Sequence, residues 1–260
     1  MGAELLSHTE GHTRVLTLRH IGQRNALHPD MYVAGLQALE QAERDADIRS
    51  VVLTGADGHF CAGGQLQRLQ ANRQHPPEAQ AESIDALHRW IEALHHCPKP
   101  VVAAVEGACA GAGFSLALAC DLVVAADNSR WVMAYANVGL SPDGGASWQL
   151  ARQLPRATAM AWLLGGEPVP PERLHQLGLI TRLSAPGQAL ADALRSCERL
   201  NAQAPNALAS IKALVQAAGG QALQGQLDAE RDAFVRNLHH PNAGEGIQAF
   251  FDKRRPNYRS

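Results

Sequence analysis

Two glycine-rich stretches, Phe60-Cys61-Ala62-Gly63-Gly64 and Gly111-Ala112-Gly113, carry the strongest chemical signal in the chain. Each follows an apolar β-type run, at residues 51–54 and 101–105, and the second opens a run with helical character. Small or absent side chains let a backbone approach a ligand closely. Two such turns on separate strands can aim two peptide N–H groups at one oxygen. That is the geometry of an oxyanion hole, in which each donor is worth about 2.7–4 kcal/mol where water is excluded. A helix starting near Ala112 adds the positive end of its dipole. A carboxylate, Asp143, stands in Gly139-Leu140-Ser141-Pro142-Asp143-Gly144-Gly145. Alone this is the composition of a tight turn; paired with an oxyanion hole, it is a candidate base.

Strand-like and helix-like segments alternate through the part of the chain that must hold these groups. Residues 15–18 read as a strand, and Asn25-Ala26-Leu27 leads into a helix at 29–46 with Val33, Leu36 and Leu39 at helical spacing. A strand at 51–54 ends at Gly55, and a polar loop at 70–77 precedes a helix at 79–96. Pro98 and Pro100 stop that helix before the strand at 101–105, which is followed by a helix at 112–119 and a strand at 122–125. The alternation predicts an α/β core. Beyond Ser147 the reading is helix after helix: 158–164, 171–176, 187–203, 206–217, 221–238 and 243–250. The expected division is a core at 1–200 and a C-terminal helical region at 201–260.

The 260 residues suffice for one large domain or a core with an appendage, and 46% apolar content supplies its interior. A net charge of −2 and the lack of a basic stripe argue against nucleic acid as a partner; Lys253-Arg254-Arg255 is too short to supply one. The cysteines at 61, 97, 109, 120 and 197 form no CxxC pair and no metal-ligand spacing, which points to reduced, buried thiols. Cys61 and Cys109 adjoin the glycine turns without an evident histidine partner, so they read as small fillers, not nucleophiles. Glu106 and Asp121 interrupt the apolar region at 101–126, leaving no segment long enough to cross a bilayer. No signal segment is evident. The expectation is a soluble, cytoplasmic protein without a metal.

Arg24-Asn25-Ala26-Leu27, Val51-Val52-Leu53-Thr54-Gly55, the Cys61 turn, Gly107 through Gly113, Cys120-Asp121 and Gly144-Gly145 occur in order, and the end runs from Glu245-Gly246 to Pro256-Asn257. Together they resemble the crotonase, or enoyl-CoA hydratase/isomerase, superfamily across nearly the whole chain. The resemblance implies a spiral of ββα units, a C-terminal helical region that mediates trimers or dimers of trimers, and acyl-CoA thioesters as substrates. It places the oxyanion donors at the Gly64 and Ala112 amides. It places the walls of the CoA cleft at Ala26, Ala62 and Leu66, and adenine contacts at Phe250 and Lys253, within or across subunits. No cofactor is implied beyond the coenzyme A of the substrate. Gln65 departs from the family's usual aspartate after the paired glycines.

The acid and base residues must decide the reaction, since this scaffold hosts several. Hydratases of the family use two glutamates, and the matching positions here are Ser115 and Tyr135. Asp143 lies where the double-bond isomerases of the family carry their aspartate. The reading favoured is therefore a shift of a 3-enoyl to a 2-enoyl thioester. Three alternatives stand beside it: hydration without the glutamate pair, an aryl-CoA dehalogenase-like hydrolysis, and a catalytically inactive acyl-CoA-binding subunit. In the dehalogenase-like scheme Asp143 attacks an aryl ring, His88 activates water and Tyr135 sits beside the ring. Tyr135, Trp148 and Trp162 are candidates for shaping an aromatic or cyclic acyl pocket, with core packing as the plainer explanation.

Overall fold

In the computed structural model, which describes residues 2–259, the apolar runs become strands of a central sheet. The chain begins β1 (Glu4–Glu10), β2 (Thr13–Arg19), α1 (Pro29–Arg44), β3 (Ser50–Gly55), α2 (Leu66–Asn72) and α3 (Pro77–His96). It continues with β4 (Val101–Val105), β5 (Ala108–Ala110), α4 (Ala112–Leu118), β6 (Leu122–Ala126) and β7 (Arg130–Val132). Then follow α5 (Ala146–Gln153), α6 (Arg156–Gly165), β8 (Pro168–Val169), α7 (Pro171–Gln176) and β9 (Arg182–Ser184). The chain closes with α8 (Ala189–Asn201), α9 (Pro205–Ala218), α10 (Leu223–Leu238) and α11 (Pro241–Phe251). No helix among the described residues is long and apolar enough to cross a membrane.

The main sheet runs β1-β2-β3-β4-β6-β9, with β1 antiparallel to β2 and every other neighbouring pair parallel. Side chains alternate between faces along a strand. One face of the sheet (Leu16, Leu53, Ala103, Val123) joins the large core beneath α1, α3 and α4, while the other (Val15, Val52, Val102, Val124) packs on Ala193 and Cys197 of α8. Burial on both faces explains why these strands read as unbroken apolar runs.

A second layer forms from the residues that follow each main strand. β5 pairs in parallel with β7, and β7 pairs antiparallel with β8. Earlier in the chain the same layer shrinks to single bridges, Leu27 with Gly64 and Cys61 with Cys109. The repeating unit is thus a sheet strand, a second-layer strand or bridge, and a helix: β2–Leu27–α1, β3–Cys61–α2, β4–β5–α4 and β6–β7–α5. This is the spiral of ββα units that the resemblance implied.

Asn25 fixes the first unit to the second. Arg24 and Asn25 have φ of 46° and 57°, a left-handed conformation that asparagine tolerates better than most residues. The Asn25 side chain accepts the His20 N–H at 3.0 Å and donates to the Ala56 and His59 carbonyls at 2.8 and 2.7 Å. At the other end of the chain, Lys212 docks α9 on the core by donating to Asp121 at 2.8 Å and to the Leu94 carbonyl at 3.0 Å. Beyond it, Phe234 and Leu238 of α10 and Phe250 and Phe251 of α11 stay exposed.

Several elements differ from the sequence reading. The buried stripe of α1 is Met31, Tyr32, Gly35, Ala38, Leu39 and Ala42, so Val33 is exposed; Gly35 lets Trp90 of α3 lie against the helix backbone. The helix ends at Arg44, two residues short of the expected limit. The expected polar loop at 70–77 is helical through Asn72, since Gln, Arg and Leu are good helix formers. β8 and β9 interrupt the helices beyond Ser147, because two- and three-residue strands are set by their partners and not by local pattern.

Replacing Asn25 by alanine removes the partner of the His20 amide and the His59 carbonyl at a buried turn, and leaves the Ala56 carbonyl with the His59 N–H alone. The expected loss is about 2–3 kcal/mol, read from the shift of a urea unfolding curve.

Candidate active site

The two glycine turns lie backbone against backbone. The Cys61 N–H donates to the Ala108 carbonyl and the Ala110 N–H donates to the Cys61 carbonyl, both at 2.9 Å. Past this bridge each chain turns at a glycine, Gly63 with φ of 90° and Gly111 with φ of 49°. A Cβ on Gly63 would sit 2.8 Å from the Ala110 carbonyl oxygen and 3.6 Å from the Ala112 nitrogen. A Cβ on Gly113 would sit 2.6 Å from the Cys61 carbonyl oxygen. Side chains at either place would push the turns apart. The neighbouring polar groups are used: Gly63 accepts from the Leu27 N–H at 2.8 Å, and the Gly111 N–H donates to Val132 at 2.9 Å. The Gly64 and Ala112 amides have no acceptor among the described residues. Two unspent donors therefore stand on adjoining turns, which is what stabilising a developing oxyanion requires.

Asp143 is half-buried in the loop before α5 and is held from two sides. The Tyr135 hydroxyl donates to Asp143 Oδ1 at 2.7 Å. The Ser115 hydroxyl donates to the Asp143 backbone carbonyl at 3.0 Å and lies 3.4 Å from the Tyr135 hydroxyl. Ser115 is on α4, one turn after Ala112, so the backbone of Asp143 is braced against the same helix that presents a free amide. Burial pushes the Tyr135 phenol well above its ordinary value, and the Asp143 charge adds to the rise. The phenol therefore stays protonated and remains a donor. Asp143 Oδ2 accepts no hydrogen bond among the described residues.

Tyr32 of α1 belongs to the same neighbourhood and was missed in the sequence. Burial raises its phenol, with a further push from the Asp143 charge and a partial offset by Arg68. Its only sequence signal was a place on the α1 stripe, just past the Asn25-Ala26-Leu27 motif.

The remaining candidates divide. Ala26 is buried beside the Asn25 turn, and Ala62 ties to it by donating its N–H to the Arg24 carbonyl at 3.0 Å. Leu66 is exposed and lines a cavity of about 1050 Å³ with Leu69, Val138 and Leu140. His88 lines a different cavity, together with Gly144 and Gly145, and no hydrogen bond joins it to Asp143 among the described residues. Phe250 and Lys253 lie at the exposed end of α11, and no hydrogen bond or ring contact links them to the glycine turns among the described residues. Cys61 and Cys109 are fully buried; burial pushes the Cys61 thiol up to about 12 and the Cys109 thiol well above the usual value. Neither is a thiolate available for attack. Trp162 packs partly buried against the core, whereas Trp148 is 53% exposed at the cavity that His88 lines.

Residues 9–260 match the family model described as enoyl-CoA hydratase/isomerase. The chain is 36% identical over 256 residues to the 1,2-epoxyphenylacetyl-CoA isomerase of Escherichia coli, covering 98% of this chain and 97% of that protein. It is 30% identical over 257 residues to the 2,3-dehydroadipyl-CoA hydratase of the same organism, covering 99% of each. Among solved structures, an enoyl-CoA hydratase from Polaromonas sp. JS666 superposes with a TM-score of 0.97 at 60% identity, over 98% of this chain and 99% of the other. The two free amides on joined glycine turns, the ββα spiral and these similarities converge: the chain belongs to the enoyl-CoA hydratase/isomerase family of acyl-CoA enzymes.

Proposed function

We propose that the protein shifts the double bond of an acyl-CoA thioester from the 3,4 to the 2,3 position, with Asp143 as the single acid/base. The thioester oxygen sits against the Gly64 and Ala112 amides, which draws charge from C2 and acidifies its proton. Asp143 takes that proton, and the electron pair spreads through the dienolate onto the thioester oxygen. The 3,4 π pair of the dienolate then takes the proton back from Asp143 at C4, the 1,2 pair moves to close the 2,3 double bond, and the oxygen pair re-forms the carbonyl. Atoms and charges balance without a metal or redox cofactor, and coenzyme A enters as part of the substrate.

The observation that carries this reading is the single carboxylate with one oxygen occupied by Tyr135 and the other open. Adding water across a double bond calls for groups that both activate water and deliver a proton. At the two positions where the family's hydratases carry glutamates, this chain has Ser115 and Tyr135, and both hydroxyls are engaged with Asp143. Relatives carry both hydratase and isomerase names, so the family alone does not choose. The dehalogenase-like scheme is less well supported, since the Tyr135 hydroxyl occupies one oxygen of the Asp143 carboxylate that would have to attack the ring. The exposed apolar residues of α10 and α11 support assembly as a homotrimer or dimer of trimers, with Phe250 and Lys253 meeting a CoA adenine within or across subunits.

Mixed with a 3-enoyl-CoA, the protein should raise the ultraviolet absorbance of the conjugated 2-enoyl thioester. Asp143→Asn should lower kcat by a factor of about 10²–10⁴, the usual contribution of a positioned acid/base. No rise with the wild type, in the presence of measurable CoA-thioester binding, would point to hydration or an inactive subunit. Tyr135→Phe keeps the ring and removes the donor to Oδ1. It should lower kcat roughly tenfold, with KM changing less than twofold, because about 1.4 kcal/mol of orientation is lost from a charge-assisted hydrogen bond.

A further inference from the structure

Gly144 and Gly145, the two residues after Asp143, open onto a cavity of about 670 Å³ between α3, α5 and α9. Ile91 and His95 of α3, Trp148 and Arg152 of α5 and Val215 of α9 supply its walls. The Trp148 indole is 53% exposed, with the Arg152 guanidinium 4.6 Å from its ring centroid. The His95 ring meets Trp148 edge-on, with centroids 5.7 Å apart and planes at 78°. His95 is itself held by Gln149, whose Nε2 lies 2.6 Å from the imidazole Nε2. Burial lowers the His95 pKa, with the Lys212 and His96 charges adding to it, so the ring is neutral and serves as a packing surface. A Cβ on Gly145 would meet nothing within 4 Å, so no atom fills the space there.

We propose that this cavity receives an aryl or other planar cyclic group carried on the acyl chain beyond C4. The inference rests on Asp143 acting at both C2 and C4. A carboxylate that reaches both carbons has the acyl chain running alongside it; Gly144 and Gly145, which follow Asp143 directly, line the cavity, and the proposal takes the part beyond C4 across them. The walls there are suited to a ring. A half-exposed indole and a neutral imidazole offer aromatic faces and edges, Ile91 and Val215 add aliphatic contact, and aromatic pairs of this kind gain beyond the area they bury.

Binding of unreactive thioesters tests the cavity separately from turnover. Titration calorimetry would compare butanoyl-CoA with 4-phenylbutanoyl-CoA, which differ only by the ring. The wild type should bind the phenyl thioester about tenfold more tightly, Trp148→Ala should cut that ratio to about twofold, and Trp148→Phe should largely restore it. Equal affinities in the wild type, or a ratio indifferent to Trp148→Ala, would overturn the proposal. So would a parallel loss of both affinities together with a fall in particle mass by light scattering, which would make this face an interface between copies of the chain. If neither thioester binds the wild type, the acyl-CoA reading of the Asp143 site fails, and the cavity assignment falls with it.

Discussion

Two backbone hydrogen bonds, from Cys61 to Ala108 and from Ala110 back to Cys61, set the geometry on which the rest of the site depends. They fasten the chain leaving β3 to the chain leaving β4 at the point where both must turn. The turns can then approach only if no side chain separates them, which is why Gly63 and Gly113 face carbonyl oxygens at distances a Cβ could not occupy. Many peptide groups around the bridge satisfy one another, while the Gly64 and Ala112 amides, one on each turn, have no acceptor among the described residues. An unpaired amide costs free energy where it is buried, and of these two residues Ala112 is buried whereas Gly64 is exposed. Both turns stand on the parallel strands β3 and β4, buried on both faces, which in the proposed mechanism give the two donors a base that needs no reorganisation when charge develops.

The carboxylate is coupled to that base through hydroxyls. Ser115 joins α4 to the Asp143 backbone, and Tyr135 holds one oxygen of the Asp143 side chain. The resemblance to the family sets these two positions against the glutamates of its hydratases. In this chain both residues are neutral hydroxyls in contact with one carboxylate-bearing residue, Asp143. On the function proposed above, the scaffold is steered from water addition toward proton transfer by what surrounds the glycine turns. Tyr32 of α1 lies close enough to feel the Asp143 charge and, in opposition, that of Arg68 on α2.

What the sequence revealed follows from how local each feature is. β3 and β4 were visible because burial on both faces leaves unbroken apolar runs, and each run ends near a glycine-rich turn. The order of motifs across the chain carried the ββα spiral. β5, β7, β8 and β9 are two or three residues long and exist only through long-range pairing, so no local pattern announced them. The α1 stripe was misread because Val33 satisfies helical spacing as well as Tyr32 does; the contact of Gly35 with Trp90 decides which face turns inward. Asp143 was legible as a turn carboxylate. Its bond to Tyr135 was not, because it depends on how the loop past the short helix Ala136–Val138 folds back.

The most direct test of the account is the carbonyl stretch of a bound thioester labelled with ¹³C at C1, read by isotope-edited infrared difference spectroscopy. If the Gly64 and Ala112 amides together polarise the thioester oxygen, the bound stretch falls to lower wavenumber than that of the same thioester in water. An unshifted or raised frequency in a saturated complex would mean that the two amides do not meet the substrate oxygen, and the assignment of this site would be wrong.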